Sequence, residues 1–354
     1  MRLRFEHGRR DELRTLHPAY FAMVMATGIV SIAAHLHGVP VLPTVLLWLN
    51  VLFFVALVAA TAARLLRYPA AFAADIQSHG RGVGFFTIVA GTAVLGTQLI
   101  LLIDAAAVAA GLWIVAATLL AVVTYGELAV LTAKPDKPSL ADGLNGGWLV
   151  IVVAPQSVAF LTVLISGAGI SAGYQQPMLF IALVLWLSGG ALYLCIVTLI
   201  FFRYTFVPMA PEEFTSPYWI DMGAVAISTL AGAILAEHAA LSPVIREIIP
   251  FVKGFTLFFW AIATWWIPML VVFGIWRYLM CSVPFAYGPL HWGGVFPLGM
   301  YSVATYHLTK ILEVPFLMWL SQAFVIIAFA AWFATLLGFL DTRLSRVKRA
   351  QPSD

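Results

Sequence analysis

Apolar runs long enough to cross a membrane recur from one end of this chain to the other. A hydrocarbon core about 30 Å thick takes about 20 helical residues per crossing. In that medium, only helices and closed barrels satisfy the backbone polar groups. The 354 residues are 62% apolar and 10% charged, whereas soluble domains are only about 45–50% apolar. We therefore predict an all-α polytopic membrane protein.

Ten runs have the length of a spanning helix. They cover residues 17–37, 43–63, 83–103, 108–131, 144–166, 177–202, 218–238, 251–278, 291–311 and 317–340. This count predicts a transmembrane domain over 17–340, a short N-terminal segment over 1–16, a C-terminal tail over 341–354, and no appended soluble domain.

The basic residues predict the orientation. If both ends lie on one side, that side receives all but three of the 19 lysines and arginines, and only Arg246, Lys253 and Lys310 fall on the other side. Cytoplasmic loops carry the excess of basic residues in membrane proteins. We expect a multi-pass protein of the inner or plasma membrane with both termini in the cytoplasm, which requires an even number of spans.

The odd-numbered predicted helices differ from the even ones in composition. They contain "MATGIVS", "GTAVLGTQ", "APQSVA", "MGAVAIST" and "GGVFPLGMYSVAT", whereas even helices such as "LLWLNVLFFVALVAA" are typical of continuous lipid-facing or packing helices. Glycine and proline are tolerated in membrane helices where the backbone faces protein or a water-filled cavity. Five such helices predict a central pore. The residues expected to line it or to bend its helices are Gly28, Gly91, Pro155, Gly223, Pro297 and Gly299. For each glycine the alternative is close helix packing.

A second architecture also fits some of these residues. Gly28 in the first helix and the pair Gly189 and Gly190 in the sixth lie where a five-plus-five inverted-repeat transporter has its broken helices.

Ionisable residues are almost absent from the middle of the predicted spans, and His307 is the deepest of them. Ion-coupled pumps need buried groups that bind the coupling ion. The pattern favours a passive pathway in which pore width, hydroxyl groups and the positive ends of interrupted helices select anions. Arg81 would attract anions to the mouth, or it only sets topology. In a proton-coupled carrier, His307 would be the coupling residue.

Enzyme and cofactor signatures are missing. There is no nucleophile elbow, no HExxH and no pair of carboxylates, and "SHGRGVGF" lacks the Lys-Ser/Thr of a phosphate loop. His35 and His37 have no further metal ligands nearby. We predict no enzymatic activity, no cofactor, no metal and no nucleic-acid partner; a non-conducting membrane enzyme or structural protein is the distant alternative.

Four segments taken together resemble the tellurite-resistance/dicarboxylate transporter family, which includes the slow-type anion channels, malate permeases and sulfite exporters. They are "FAMVMATGIVS", "GTAVLGTQ", "YWIDMGAVAISTLAG" and "WGGVFPLGMYSVAT". The resemblance covers nearly the whole chain and is strongest to the microbial branch.

The resemblance implies a quasi-five-fold ring of five helical hairpins, with odd helices around a central pore and even helices outside, assembled as a homotrimer in the lipid bilayer. It also implies that Phe296, in "VFPLGMY", gates the pore, with Gly293, Gly294, Pro297 and Gly299 interrupting the ninth helix. The expected function is passive transport of small inorganic or carboxylate anions. The alternatives are a secondary carrier, with or without proton coupling, for C4-dicarboxylates such as malate, or an exporter of sulfite or tellurite.

Overall fold

Helices make up all the regular secondary structure in the computed structural model, which describes residues 12–170 and 173–350. No β-strand occurs in these two ranges. Ten of the helices have at least 15 residues. They are α1 (Ala22–Leu36), α2 (Leu42–Arg67), α3 (Phe86–Ile103), α4 (Ala106–Ala133), α5 (Val150–Gly167), α6 (Gln175–Phe206), α7 (Ile220–Glu237), α8 (Ile249–Ile275), α9 (Trp292–Leu312) and α10 (Met318–Ala350).

Nine of these helices, counted over the described residues, are long and apolar enough to cross a membrane. The remaining one is α9, which has 21 residues but carries glycines, a proline, hydroxyl residues and Lys310. The chain is therefore a multi-pass membrane protein with at least nine candidate spans. The tenth span, predicted at 291–311, coincides with a helix of spanning length and stays a prediction.

Burial alternates along the chain. In α1, α3, α5 and α7, between 72% and 100% of the most apolar window is buried, whereas the corresponding share in the even helices is 17–39%. In α9, nearly every residue from Trp292 to Thr309 is also buried. The odd helices therefore form the protein interior, and the even helices carry the exposed apolar surface.

Contacts between the helices follow the same alternation. Going along the chain, each odd helix contacts the next odd helix, and α9 contacts α1. Each even helix contacts the odd helix before it. The even helices run back between successive odd ones, so all five odd helices begin on one side of the molecule, which we call the N-terminal face.

Each odd helix is preceded by a turn of 3₁₀ helix at this face. The turns are Pro18–Phe21, Gly82–Phe85, Gly146–Leu149, Ser216–Trp219 and Pro289–His291. Proline occupies one of the first two positions in three of them, where its missing N–H costs no helical hydrogen bond. Glycine begins the other two turns.

Two expectations about broken helices are wrong. Helix α9 is continuous from Trp292 to Leu312, so Pro297 and its neighbouring glycines do not interrupt it. Helices α1 and α6 are also continuous through their glycines, which removes the broken first and sixth helices of the inverted-repeat architecture. Buried neighbouring helices surround these sites, and that close packing holds the backbone helical despite weak local propensity.

Candidate functional site

The five odd helices begin around one cavity. It has a volume of about 110 Å³, and every odd helix or the turn before it contributes to its wall. Each odd helix contributes one of its first two residues to the wall of the cavity. These residues are Ala22, Thr87, Val150, Ile220 and Gly293. We call this space the vestibule. Its wall contains no residue that is charged at neutral pH.

Helix N-termini supply the electrostatics of the vestibule. In each odd helix the preceding 3₁₀ turn accepts the first N–H of the α-helix, so the positive end lies at the turn, where the aligned peptide dipoles place about +0.5 of a charge. Such ends bind anions without a basic side chain. Five of them at one cavity favour negatively charged ligands.

Two side chains at the vestibule each accept a hydrogen bond from a backbone N–H of the adjacent turn, which determines the atoms they have left as donors. His17 Nδ1 accepts the N–H of Ala19 at 3.1 Å, and Asn145 Oδ1 accepts the N–H of Gly147 at 2.8 Å. The acceptor atom of each side chain is therefore used, which leaves imidazole Nε2–H and amide Nδ2–H₂ as donors. Burial, and next the positive charge of Arg81, lower the pKa of His17 to about 4, so its ring is neutral at pH 7.

Arg81, predicted to attract anions, precedes the turn that leads into α3, beside the vestibule residue Gly80. Its guanidinium forms two hydrogen bonds with Asp75, at 2.7 and 3.1 Å. Asp75 also pairs with Arg64 at 2.7 Å. Burial raises the pKa of Asp75, but the hydrogen bonds from Arg81 and Arg64 outweigh it and hold this pKa below its usual range. The three side chains keep one net positive charge near the vestibule.

Phe296 lies three residues beyond the vestibule residue Gly293 on α9. Residues three apart share one side of a helix, so Phe296 follows Gly293 about one turn deeper. Its side chain is 1% exposed. Among the described residues it forms no aromatic ring pair, unlike its neighbour Tyr301, whose ring centroid lies 4.6 Å from that of Phe324. The role of Phe296 as a gate stays a prediction.

The predicted glycines of α1 and α3 lie at contacts with neighbouring helices. A Cβ atom at Gly28 would lie 2.6 Å from Val94 Cγ1 and 2.9 Å from Asn50 Nδ2. At Gly91, it would lie 3.3 Å from the carbonyl oxygen of Phe21. Small residues here permit the helices to approach closely. A pore-lining role for either glycine stays a prediction.

The predicted residues of α7 and α9 also lie close to other helices. A Cβ atom at Gly223 would lie 2.7 Å from Pro297 Cγ, and one at Gly299 would lie 2.8 Å from Ile29 Cγ2. Pro297 and Pro155 both stand inside continuous helices, where each removes one hydrogen bond. These contacts join α7 to α9 and α9 to α1 directly beside Phe296.

His307 lies near the other end of α9, away from the vestibule. Its Nδ1 atom is 2.8 Å from Glu237 Oε1 at the end of α7. The structure thus links the deepest predicted ionisable residue to a carboxylate on the neighbouring inner helix.

Sequence reasoning missed Asn145, Asp75 and the vestibule role of His17. A signal was present for two of them, since Asn145 precedes a glycine pair and His17 precedes a proline, as helix-capping residues do. Asp75 had no such signal, because its partners lie in different segments.

Several curated proteins are similar to this chain. An uncharacterized membrane protein of Mycobacterium tuberculosis is 35% identical over 159 residues, which is 45% of this chain and 80% of that protein. An uncharacterized transporter of Methanocaldococcus jannaschii is 21% identical over 334 residues, covering 92% and 94% of the two chains. A sulfite efflux pump of Arthroderma otae is 23% identical over 325 residues, covering 85% and 84%.

The predicted resemblance is confirmed by a match over most of the chain. Residues 15–340 match the SLAC1 family, described as voltage-dependent anion channels. This range contains all five odd helices and the vestibule. The chain belongs to the SLAC1 family of anion channels and transporters.

Proposed function

We propose that this protein is a passive channel for small anions. Its ten long helices form five hairpins in a quasi-five-fold ring, with the odd helices around a central pore and the even helices outside. One observation carries the proposal: the five buried helices contact one another in a closed series and begin together at the vestibule. A conducting path along their common axis would start there.

Selectivity in this channel comes from neutral donors. Five helix ends, together with the donors of His17 and Asn145, attract an anion without binding it as tightly as a buried arginine would. Conduction requires binding that is favourable enough for the ion to come in and weak enough for it to leave. The sulfite efflux pump among the relatives makes sulfite a permeant anion to test beside chloride, nitrate and malate.

Phe296 is the gate of this pore. Its position one turn beyond the vestibule wall puts an apolar side chain where the anion leaves the helix ends, and an apolar constriction blocks ions by excluding water. Pro297 and Gly223 fix the backbone beside it through their contact. Rotation of the ring would open the path.

Anion flux in proteoliposomes or planar bilayers tests this function. We expect a small wild-type current, reversing at the anion equilibrium potential, that rises severalfold in Phe296→Ala. The matched control is Phe259→Ala, because Phe259 is equally buried but lies on the outer helix α8; its current should not rise. If neither wild type nor Phe296→Ala conducts any anion while both are folded, the channel proposal is wrong.

A secondary carrier is the second candidate, and the His307–Glu237 pair favours it. A histidine hydrogen-bonded to a carboxylate between two inner helices is able to bind a proton. A carrier for C4-dicarboxylates, sulfite or tellurite would saturate, show counterflow and lose its proton dependence in His307→Gln. A channel would show none of these.

The assembly follows from the family resemblance: a homotrimer in the cell membrane with both termini in the cytoplasm, each subunit with its own pore. Exposed apolar side chains on the even helices, such as Leu52, Val122 and Ile326, supply the surface for lipids and partner subunits. Native mass spectrometry in detergent tests the trimer. Labelling of single cysteines introduced near Lys134 and Lys253 tests the orientation.

A further inference from the structure

Glu127 is a buried carboxyl group that neither the gate nor the vestibule uses. It lies on the outer helix α4 and is 3% exposed, although most of α4 faces outward. Its carboxyl group packs against Gly82, the first residue of the turn that leads into α3: a Cβ atom at Gly82 would lie 2.7 Å from Glu127 Cδ. The same atom would lie 3.1 Å from the carbonyl oxygen of Ile76. Two acceptor groups thus face one glycine.

Among the described residues, no basic side chain forms an ion pair with this carboxyl group. The charged and titratable residues on the segments near it are Asp75, His79, Arg81, Lys134, Asp136 and Lys137. Helices α3 and α5, which also contact α4, contain no ionisable residue.

Arg81 and Lys134 have other partners, and Lys137 is exposed on the loop after α4. Arg81 binds Asp75 through both of its hydrogen bonds, and Lys134 Nζ donates to the carbonyl oxygen of Gln77 at 3.0 Å. Burial, and next the charges of the two lysines, lower the pKa of His79. Glu127 Oε1 is buried and has no hydrogen-bond partner among the described residues.

Protonation of Glu127 would remove the unpaired charge from this buried site. An ionised carboxylate buried without a donor or counter-ion is costly, and it would face the negative end of the Ile76 carbonyl. A protonated carboxyl group instead has one O–H, which supplies a donor beside these two acceptor groups. Adding and removing one proton therefore switches Glu127 between a satisfied and an unsatisfied state.

We propose that Glu127 is a reversible proton-binding site that sets anion flux from behind the N-terminus of α3. The inference rests on the proposed anion pathway. When Glu127 is neutral, the positive end of α3 acts fully on the vestibule. When Glu127 is ionised, its negative charge beside Gly82 offsets that end and lowers the anion concentration in the vestibule.

The size of the effect follows from Coulomb's law. One charge at a distance on the order of 10 Å, in an effective dielectric of about 40 to 80, changes the local anion concentration about two- to fourfold. Flux should therefore fall by about this factor as the pH at the N-terminal face rises.

Two other buried acids, Asp75 and Asp221, and the partly exposed Glu237 differ from Glu127 because each has a hydrogen-bonding partner. Asp75 is held by Arg64 and Arg81. Asp221 accepts the Tyr204 O–H at 2.6 Å. Glu237 bonds His307 at the far end of the inner helices. Asp221 Oδ1 is also buried without a partner, but its other carboxyl oxygen has the Tyr204 donor, whereas no donor to Glu127 occurs among the described residues.

The test is the pH profile of anion flux in proteoliposomes, recorded from about pH 5 to 9. Wild-type flux should fall with rising pH, whereas Glu127→Gln, an uncharged isostere, should stay at the acid level throughout. Glu212→Gln removes an exposed carboxylate on a loop of the same face, and His79→Asn removes the neighbouring imidazole; both should keep the wild-type profile. In Gly82→Ala, the added methyl displaces the carboxyl group and should change the pH at which flux falls.

A second readout separates this inference from the channel itself. Infrared difference spectra should show a protonated-carboxyl C=O band that disappears at high pH in wild type and is absent from Glu127→Gln. Flux that titrates identically in wild type and Glu127→Gln, or a missing carboxyl band, overturns the proton site. A titrating band without anion flux in any variant, Phe296→Ala included, overturns the channel and leaves the proton site standing.

Discussion

Replacing Phe296 by alanine tests whether its ring closes a pore or fills a packed core. Both roles agree with a side chain that is 1% exposed, but they differ in how much stability the ring contributes. Phe259 is the reference. It is also fully buried, its ring centroid lies 4.4 Å from that of Phe255 and 6.1 Å from that of Trp186, and it contacts Gly190.

The expected magnitudes follow from the contacts that each ring makes. Removing a closely packed phenylalanine side chain lowers the free energy of unfolding by about 3–5 kcal/mol, and we expect this loss for Phe259→Ala. A gap of about 0.5–1 Å between a side chain and its neighbours forfeits about a quarter to a half of the dispersion energy there. A ring in a lumen would therefore contribute roughly half as much, so we expect Phe296→Ala to lose about 2 kcal/mol.

The assay combines unfolding in detergent with flux in liposomes made from the same preparations. The gate predicts a small loss of stability together with a severalfold rise in flux for Phe296→Ala, and a large loss with no rise for Phe259→Ala. If Phe296→Ala costs as much stability as Phe259→Ala and leaves flux unchanged, Phe296 is a packing residue and the reasoning from its position is refuted.

Three further predictions concern polar groups at the N-terminal face. Tyr204→Phe removes the O–H donated to buried Asp221 at 2.6 Å and should lower the free energy of unfolding by about 1–3 kcal/mol in a detergent titration. Asp75→Asn leaves Arg64, whose side chain is 4% exposed, without its carboxylate and should cost about 3–5 kcal/mol in the same titration. His17 has its pKa lowered from 6.5 to about 4, so the unfolded chain takes up the proton first as pH falls. Wild-type thermal stability should therefore decline between pH 6.5 and about 4, and His17→Gln should reduce that slope; an unchanged slope would show that other groups cause it.

The division into inner and outer helices was predictable from the sequence because lipid imposes a strict composition. A helix that faces lipid has to be apolar on its outer side, where α2 and α10 carry exposed residues such as Leu52 and Ile326. A helix that contacts only protein is free to carry glycine, proline and hydroxyl residues. The same freedom explains why α9 does not reach the hydropathy of a span: its polar groups are buried against other helices, as when Ser302 Oγ donates to the carbonyl oxygen of Ser321 at 2.8 Å.

The side-chain pairings at the N-terminal face were not predictable. Arg64, Asp75 and Arg81 belong to α2, a short helix and a loop, and Glu127 reaches Gly82 from α4. Charge alone does not tell which arginine meets which carboxylate, since each pairing depends on how the connections fold over the helix ends. The role of each glycine is equally hidden, because it depends on which neighbour lies opposite.

The vestibule is hidden from motif searches for a different reason: its donors belong mostly to the main chain. Proline, glycine and capping residues are common at helix starts, so no single turn identifies a binding site. Only when the contacts between odd helices bring five such turns to one cavity do their separate partial charges act on the same ligand. A pathway built this way tolerates changes of side chain as long as the turns keep their geometry. Substitutions that distort a turn, such as Gly146→Ala, whose Cβ atom would lie 2.5 Å from the Tyr218 Cα, should therefore reduce anion flux more than loss of a single polar side chain at the vestibule.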